Sequence, residues 1–268
     1  MHVHFLDPYR PKASPIHQLD ARIKLVLAIA FIVVTTLTPV GAWPIYILLF
    51  AVMLSIEIAS ELGVGYVLKR AMLAAPFILA AVPLLFTVDG TPIFSVAIGP
   101  WTLTITWQGV ERFVSIAIRS WLAVQMAIVL ASTTTFPDLL MAMRALKVPR
   151  ILVAVFGLMW RYLFVMVDEV GRLLRARAAR SGHSSDPTLK TGGSLRWRAQ
   201  VAGGMAGNLF IRSIERGDHI YAAMIARGYD GEIRGFPLHP IRQAQWAVLA
   251  IGLGLLVLIY LLGVLLAA

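Results

Sequence analysis

Five apolar runs, each near the length that crosses a lipid bilayer, constrain this chain more than any other feature. They lie at Lys24–Thr38, Trp43–Ala59, Ala71–Val88, Phe113–Ser132 and Ala244–Leu266. A hydrocarbon core needs roughly 20 helical residues to span it, so the runs read as membrane helices, the first short unless it extends upstream. Pro76 and Pro83 fall inside the third run; membrane helices tolerate such kinks when neighbours satisfy the freed carbonyls. The chain is 59% hydrophobic and 14% charged, where a soluble domain would be near half apolar and a quarter charged. It has no cysteine, which excludes disulfides. The opening MHVHFLDPYRPKASP has prolines and an aspartate where a signal peptide needs an apolar core, so the first apolar run is expected to stay in the mature protein.

Basic residues then predict topology, because short translocated loops avoid them. Arg10, Lys12, Arg22 and Lys24 precede or open the first run, and Lys69 and Arg70 lie between the second and third. The connections Pro39–Ala42 and Asp89–Gly109 carry none. That alternation puts the N-terminus in the cytoplasm and brings the fourth helix down into it. The second of these connections, VDGTPIFSVAIGPWTLTITWQG, has turn residues and short alternation, and is expected to form an outer loop or small hairpin. A sixth apolar run, Ile151–Val167, is ambiguous. If it spanned, the thirteen basic residues of Arg161–Arg242 would lie outside while Arg144, Lys147 and Arg150 stayed inside. Charge opposes this, and Arg161 sits within the run where lipid makes it costly. The run is therefore expected not to cross, but to begin a long helix partly sunk in the inner interface.

The expected plan is an all-α membrane protein: four spans in residues 1–135, a cytoplasmic-side insert at 136–243, and a final span at 244–268. The insert holds two long helical patterns, near Ile151–Ser181 and Arg196–Arg227, separated by the polar turn SGHSSDPTLKTGGS. The second carries Ala199, Ala202, Gly203, Ala206 and Gly207 at three-to-four spacing, a flat stripe that lets another helix approach closely. It ends AAMIARGYDG, with Gly228 placed as the left-handed residue that stops a helix. The first ends AARSG. Each motif sets an arginine, Arg180 or Arg227, in a last turn where a cation complements the helix dipole. Each arginine is flanked by residues too small to hinder a partner: Ala179 and Ser181, Ala226 and Gly228. A guanidinium so presented suits a groove lined by carboxylates or carbonyls.

Four stretches, SPIHQLDARIKL, MRALKVPR, GLMWRYLFVMVDEVGRLLRARAARS and RSIERGDHIYAAMIARGYDG, make the chain resemble the T component (EcfT/CbiQ type) of energy-coupling factor transporters, an ABC importer class. The resemblance is strongest to the cobalt-type CbiQ subgroup. It implies two crossed coupling helices whose Ala-Arg-Gly-like ends dock into grooves on two ABC ATPases of the CbiO kind. By motif position Arg180 and Arg227 are the docking arginines, with Ser181 departing from the family's glycine. It further implies a CbiM-like substrate-binding membrane subunit, with a small CbiN-like subunit beside it, and a bacterial inner-membrane location. Cobalt is the implied substrate, with nickel or a vitamin next. ATP and magnesium would sit on the ATPases, with no cofactor, metal or nucleic acid on this chain.

The residues support that division of labour. There is no GxxxxGK[ST] phosphate loop, H-E-x-x-H motif, nucleophile elbow or cysteine cluster, which disfavours a membrane enzyme. A self-contained secondary transporter would show inverted repeats and charged residues along a path; no internal repeat is visible. His2, His4 and His17 have loose metal-ligand spacing but read as a solvated tail. Arg119, within the fourth span, admits both a structural and a functional reading. Asp168 or Glu169 is positioned to pair with Arg172, or with Arg161, as a structural tie. Trp101, Trp107, Trp160 and Trp246 read as interfacial belt residues.

Overall fold

The computed structural model describes residues 8–98, 101–180, 194–231 and 240–267. In chain order its helices are α1 (Pro15–Gln18), α2 (Ala21–Leu37), α3 (Trp43–Ala59), α4 (Val64–Ala71), α5 (Ala75–Ala80), α6 (Leu84–Thr87), α7 (Trp107–Thr133), α8 (Phe136–Ala145), α9 (Arg150–Arg180), α10 (Leu195–Ala226) and α11 (Gln243–Ala267). Strands β1 (Pro92–Ile98) and β2 (Trp101–Thr106) form one hairpin between α6 and α7. The chain divides into two units, Met1–Leu146 with Leu238–Ala268, and Lys147–Pro237. Four helical stretches are long and apolar enough to cross a bilayer: Val64–Thr87, Trp107–Thr133, Arg150–Arg180 and Gln243–Leu266. The protein is an all-α, multi-pass membrane protein. Helices α2 and α3 have 17 residues each, or ~26 Å at 1.5 Å per residue, slightly less than the hydrocarbon core. By length and composition alone α9 also qualifies as a span, unlike the expectation for Ile151–Val167.

In the first unit α2, α3, α7 and α11 pack around Phe31, Leu49, Met53, Leu122, Met126 and Ile259, all buried. Caps fix where helices begin. Asp20 accepts from Arg22 N–H at the start of α2, Thr106 from Gly109 at α7, and Thr135 from Asp138 at α8; such caps contribute about 1 kcal/mol each. The third apolar run starts earlier than its hydropathy suggests, at Val64, and is broken rather than kinked. A 3₁₀ turn at Met72–Ala74 separates α4 from α5. Pro76 lies at the start of α5 and Pro83 caps α6, positions where a missing N–H costs no helical bond. The expected hairpin forms with Phe94 opposite Ile105 and Val96 opposite Leu103.

Two cations inside the bundle cap helices reciprocally. Lys24, on α2, donates to the Thr133 carbonyl at the end of α7, at 2.8 Å. Arg119, on α7, donates to the Thr38 carbonyl at the end of α2, and to the Tyr46 hydroxyl on α3 at 2.9 Å. Tyr46 in turn donates to the Pro39 carbonyl at 3.0 Å. Each cation meets the carbonyl end of an antiparallel neighbour, where the helix dipole is negative. These bonds give Arg119 a structural role. His17 is likewise structural: its ring bridges the Ser14 hydroxyl at 2.6 Å and the Arg10 carbonyl at 2.9 Å. It holds the N-terminal strap, whose Arg10 N–H reaches the Ser132 carbonyl at 3.0 Å. His2 and His4 lie outside the described residues.

Candidate functional site

The second unit consists of α9 and α10 with their flanking segments, while α8 packs on α2 in the first unit. The helices have 31 and 32 residues. Ser194 starts α10 by accepting from the Trp197 N–H at 3.3 Å. The two helices meet over a short stretch, and the polar tie there is Glu169. Its carboxylate takes a hydrogen bond from Arg172 one turn along α9, and another at 2.7 Å from Arg212 on α10. Glu169 and Arg212 each lie near the middle of their helices, so the helices are fastened near their midpoints. Hydrogen bonds, first from Arg172 and then from Arg212, hold the Glu169 carboxyl below the usual carboxylate range against the opposing effect of burial.

The i,i+3 pair with Arg172 is legible in the sequence. The bond to Arg212 is not, because a polar turn separates the two helices and no local spacing reports the register between them. Asp168 is not the residue that makes the tie.

The α10 terminus forms as its glycine predicts. Gly228 has φ +78°. Its N–H donates to the Ile225 carbonyl at 2.9 Å, and the Tyr229 N–H donates to the Met224 carbonyl at 3.0 Å. These two bonds are the Schellman pattern, which requires a left-handed residue between them. Arg227 is the C-cap, so its guanidinium leaves the helix where the backbone turns away. Ala226, Arg227 and Gly228 are all exposed. Arg180 is the last residue of α9, and Ala179 and Arg180 are exposed too; Ser181 lies outside the described residues. Among the described residues neither Arg180 nor Arg227 has a side-chain partner.

The small-residue stripe is also open. Ala199, Ala202, Gly203, Ala206 and Gly207 are exposed, and a Cβ at Gly203 or Gly207 would meet nothing within 4 Å. The α9–α10 tie falls further along, at Arg212, so the stripe is not where these two helices touch. Further apolar side chains on α10 are bare: Phe210, Ile211, Ile214, Tyr221 and Ile225 are each at least half exposed. No residue of α10 is buried. Among the described residues nothing covers this apolar surface. Among the described residues there is no cluster of metal-binding side chains. Trp107 and Trp246 are exposed and Trp160 is half-buried, while the Trp101 side chain lies outside the described residues.

The chain is similar to known transport proteins. The model of the family CbiQ, described as cobalt transport protein, matches residues 12–238. Cobalt transport protein CbiQ of Rhodobacter capsulatus is 28% identical over 182 residues, covering 65% of this chain and 71% of that protein. The energy-coupling factor transporter transmembrane protein EcfT of Lactococcus lactis is 29% identical over 253 residues, covering 89% of this chain and 88% of the relative. A fused cobalt transport protein CbiMQ of Methanocorpusculum labreanum is 26% identical over 227 residues, covering 82% of this chain but 35% of its own length.

Proposed function

This chain belongs to the CbiQ family of energy-coupling factor T components, and from that membership we propose that it is the non-catalytic energy coupler of an ECF-type importer. Arg180 and Arg227 dock into two cytoplasmic ABC ATPases; α9 and α10 are the coupling helices. ATP binding draws the ATPases together, and the helix ends seated in them move with them. The Glu169 tie makes the pair move as one lever rather than two loose rods. The lever tilts a substrate-binding membrane subunit, CbiM-like by analogy with the fused relative, with the N-terminus of this chain in the cytoplasm. A small CbiN-like subunit accompanies it. Cobalt is the proposed cargo, because the family and its CbiQ relatives carry that name; nickel or a vitamin is the next choice.

The observation that carries this reading is the pair of exposed arginines at two helix ends, without side-chain partners among the described residues, beside an α10 surface that no described residue covers. A charged guanidinium left bare on a rigid helix end gains most from a groove of carboxylates or carbonyls. Co-purification tests the arrangement. The chain expressed with its neighbouring subunits should elute with two nucleotide-binding proteins, and metal uptake should require ATP hydrolysis. Uptake by the reconstituted chain alone, without those partners, would mean a secondary transporter instead.

A further inference from the structure

The first unit contains a cavity of about 510 Å³ bordered by α1, α2, α3, α7 and α11. Helix α11 closes on α3 at one end of the bundle, where Gly263 lies against Ile45 and Pro39. Midway it closes on α2, where a Cβ at Gly252 would fall 2.7 Å from Leu27. Toward the end where α2 begins, the cavity forms a wedge lined by the second half of α3 (Val52–Ala59) and the first half of α11 (Val248–Leu256). Ser55 and Ile251, both exposed, stand at its open side. Apart from Lys24, Ser55 and Thr133 the walls are apolar.

One wall residue is charged. Lys24 lines the cavity and is 9% exposed. Its ammonium has three N–H donors, and the structure uses one, on the Thr133 carbonyl. Two carboxylates act on it through space, Asp20 and Asp138, but both are engaged elsewhere. Asp20 caps α2 and pairs with Arg22, and Asp138 accepts from Thr135. Among the described residues no acid forms an ion pair with Lys24. A nearly buried cation with donors to spare, at the polar end of an apolar slot, complements a ligand with an anionic head and a hydrocarbon tail. The volume lies in the small-molecule range of roughly 300–1,000 Å³, and a wedge this size is narrow for a whole helix, which is about 10–12 Å across. Basic pockets between membrane helices bind anionic lipid headgroups.

We propose that this wedge is a binding site for one acyl chain of an anionic phospholipid, with the headgroup phosphate held by Lys24. In the orientation proposed above the site faces the inner leaflet; the binding itself does not depend on that orientation. A lipid there would fill the wedge lined by α3 and α11 and would compensate the Lys24 charge.

Native mass spectrometry of the full chain in detergent, titrated with dioleoyl phosphatidylglycerol, dioleoyl phosphatidylcholine or oleate, tests this. One saturable phosphatidylglycerol is expected, retained about tenfold better than phosphatidylcholine, because the choline cation of the latter offsets the charge of the phosphate that Lys24 holds. Lys24→Met should erase that preference and Lys24→Arg should keep it. Ser55→Phe, at an exposed position, should block the slot and lower retention while leaving Lys24 and the melting temperature unchanged. Equal retention of the two phospholipids, phosphatidylglycerol binding unchanged in both Lys24→Met and Ser55→Phe, tighter binding of oleate, or protection of the wedge only by a protein subunit would each overturn the proposal.

Discussion

Replacing Arg119 with methionine isolates the cation that joins three membrane helices. The side chain makes two hydrogen bonds, to the Tyr46 hydroxyl and the Thr38 carbonyl. In soluble proteins a bond from a charged donor contributes about 1.5–3 kcal/mol. Interhelical polar contacts in membranes measure about 0.6 on average and about 1.7 at most. The membrane scale is the one to use, because the inserted but unpacked helix also carries Arg119 and finds other partners, so the cost of holding the charge in lipid cancels. Two bonds on that scale give ~1–3 kcal/mol, and the charge puts the value toward the upper end. Tyr46→Phe removes one of these bonds together with the bond to Pro39, for ~1 kcal/mol. Denaturant unfolding of the purified chain in mixed micelles, run as a double-mutant cycle of Arg119→Met and Tyr46→Phe, should give a coupling energy of ~1 kcal/mol. Arg119→Lys should recover part of the loss. If Arg119→Met unfolds like the parent chain and shows no coupling to Tyr46, while transport is abolished, Arg119 is a functional residue and the capping argument fails.

Further predictions concern single residues. Gly228→Ala forces a side-chain-bearing residue to φ +78°, at ~1 kcal/mol; because nothing lies within 4 Å of the new Cβ, the cost is conformational. Faster hydrogen exchange at Gly228 and Tyr229 should report it, with Gly228→Asn milder. The depressed Glu169 pKa means that its contribution to the α9–α10 tie is complete above the usual carboxylate range and is lost as pH falls through the lowered folded value. Spin-label distances across the pair should therefore hold between pH ~7 and ~5 and lengthen only at more acidic pH, and Glu169→Gln should remove that pH dependence. Glu57, in α3, is 2% exposed, and its Oε1 has no partner among the described residues. Glu57→Met should thus leave unfolding stability unchanged or raise it by ~1 kcal/mol; a large loss would mean that the carboxylate holds an ordered ligand or water.

The sequence made visible what depends on local pattern. Apolar runs announced the helices, Gly228 announced its own helix stop, and VDGTPIFSVAIGPWTLTITW announced a hairpin. Positions set by neighbours were harder to read. The third run was placed from Ala71 because Lys69 and Arg70 looked like a loop, whereas the turn beyond Ala59 lets α4 begin at Val64. Lys24 and Arg119 act on carbonyls 109 and 81 residues away, and such contacts depend on which helices are antiparallel neighbours. Glu169 could be paired with Arg172 by spacing, but not with Arg212. The small-residue stripe on α10 is readable as a close-approach surface, yet its spacing carries no record of which helix approaches; among the described residues, none does.

The account rests on Arg180 and Arg227 carrying the ATPases. The direct measurement is affinity capture of the whole complex through a tag on this chain, comparing the parent with Arg180→Ala, Arg227→Ala and the double variant, and quantifying retained ATPase and ATP-dependent uptake. Loss of one buried charged contact of this kind costs about 2–5 kcal/mol. Each single variant should therefore weaken retention of one ATPase at least tenfold, and the double variant should lose both and all uptake while the substrate-binding subunit remains bound. Full ATPase retention and unchanged uptake in the double variant would contradict the account.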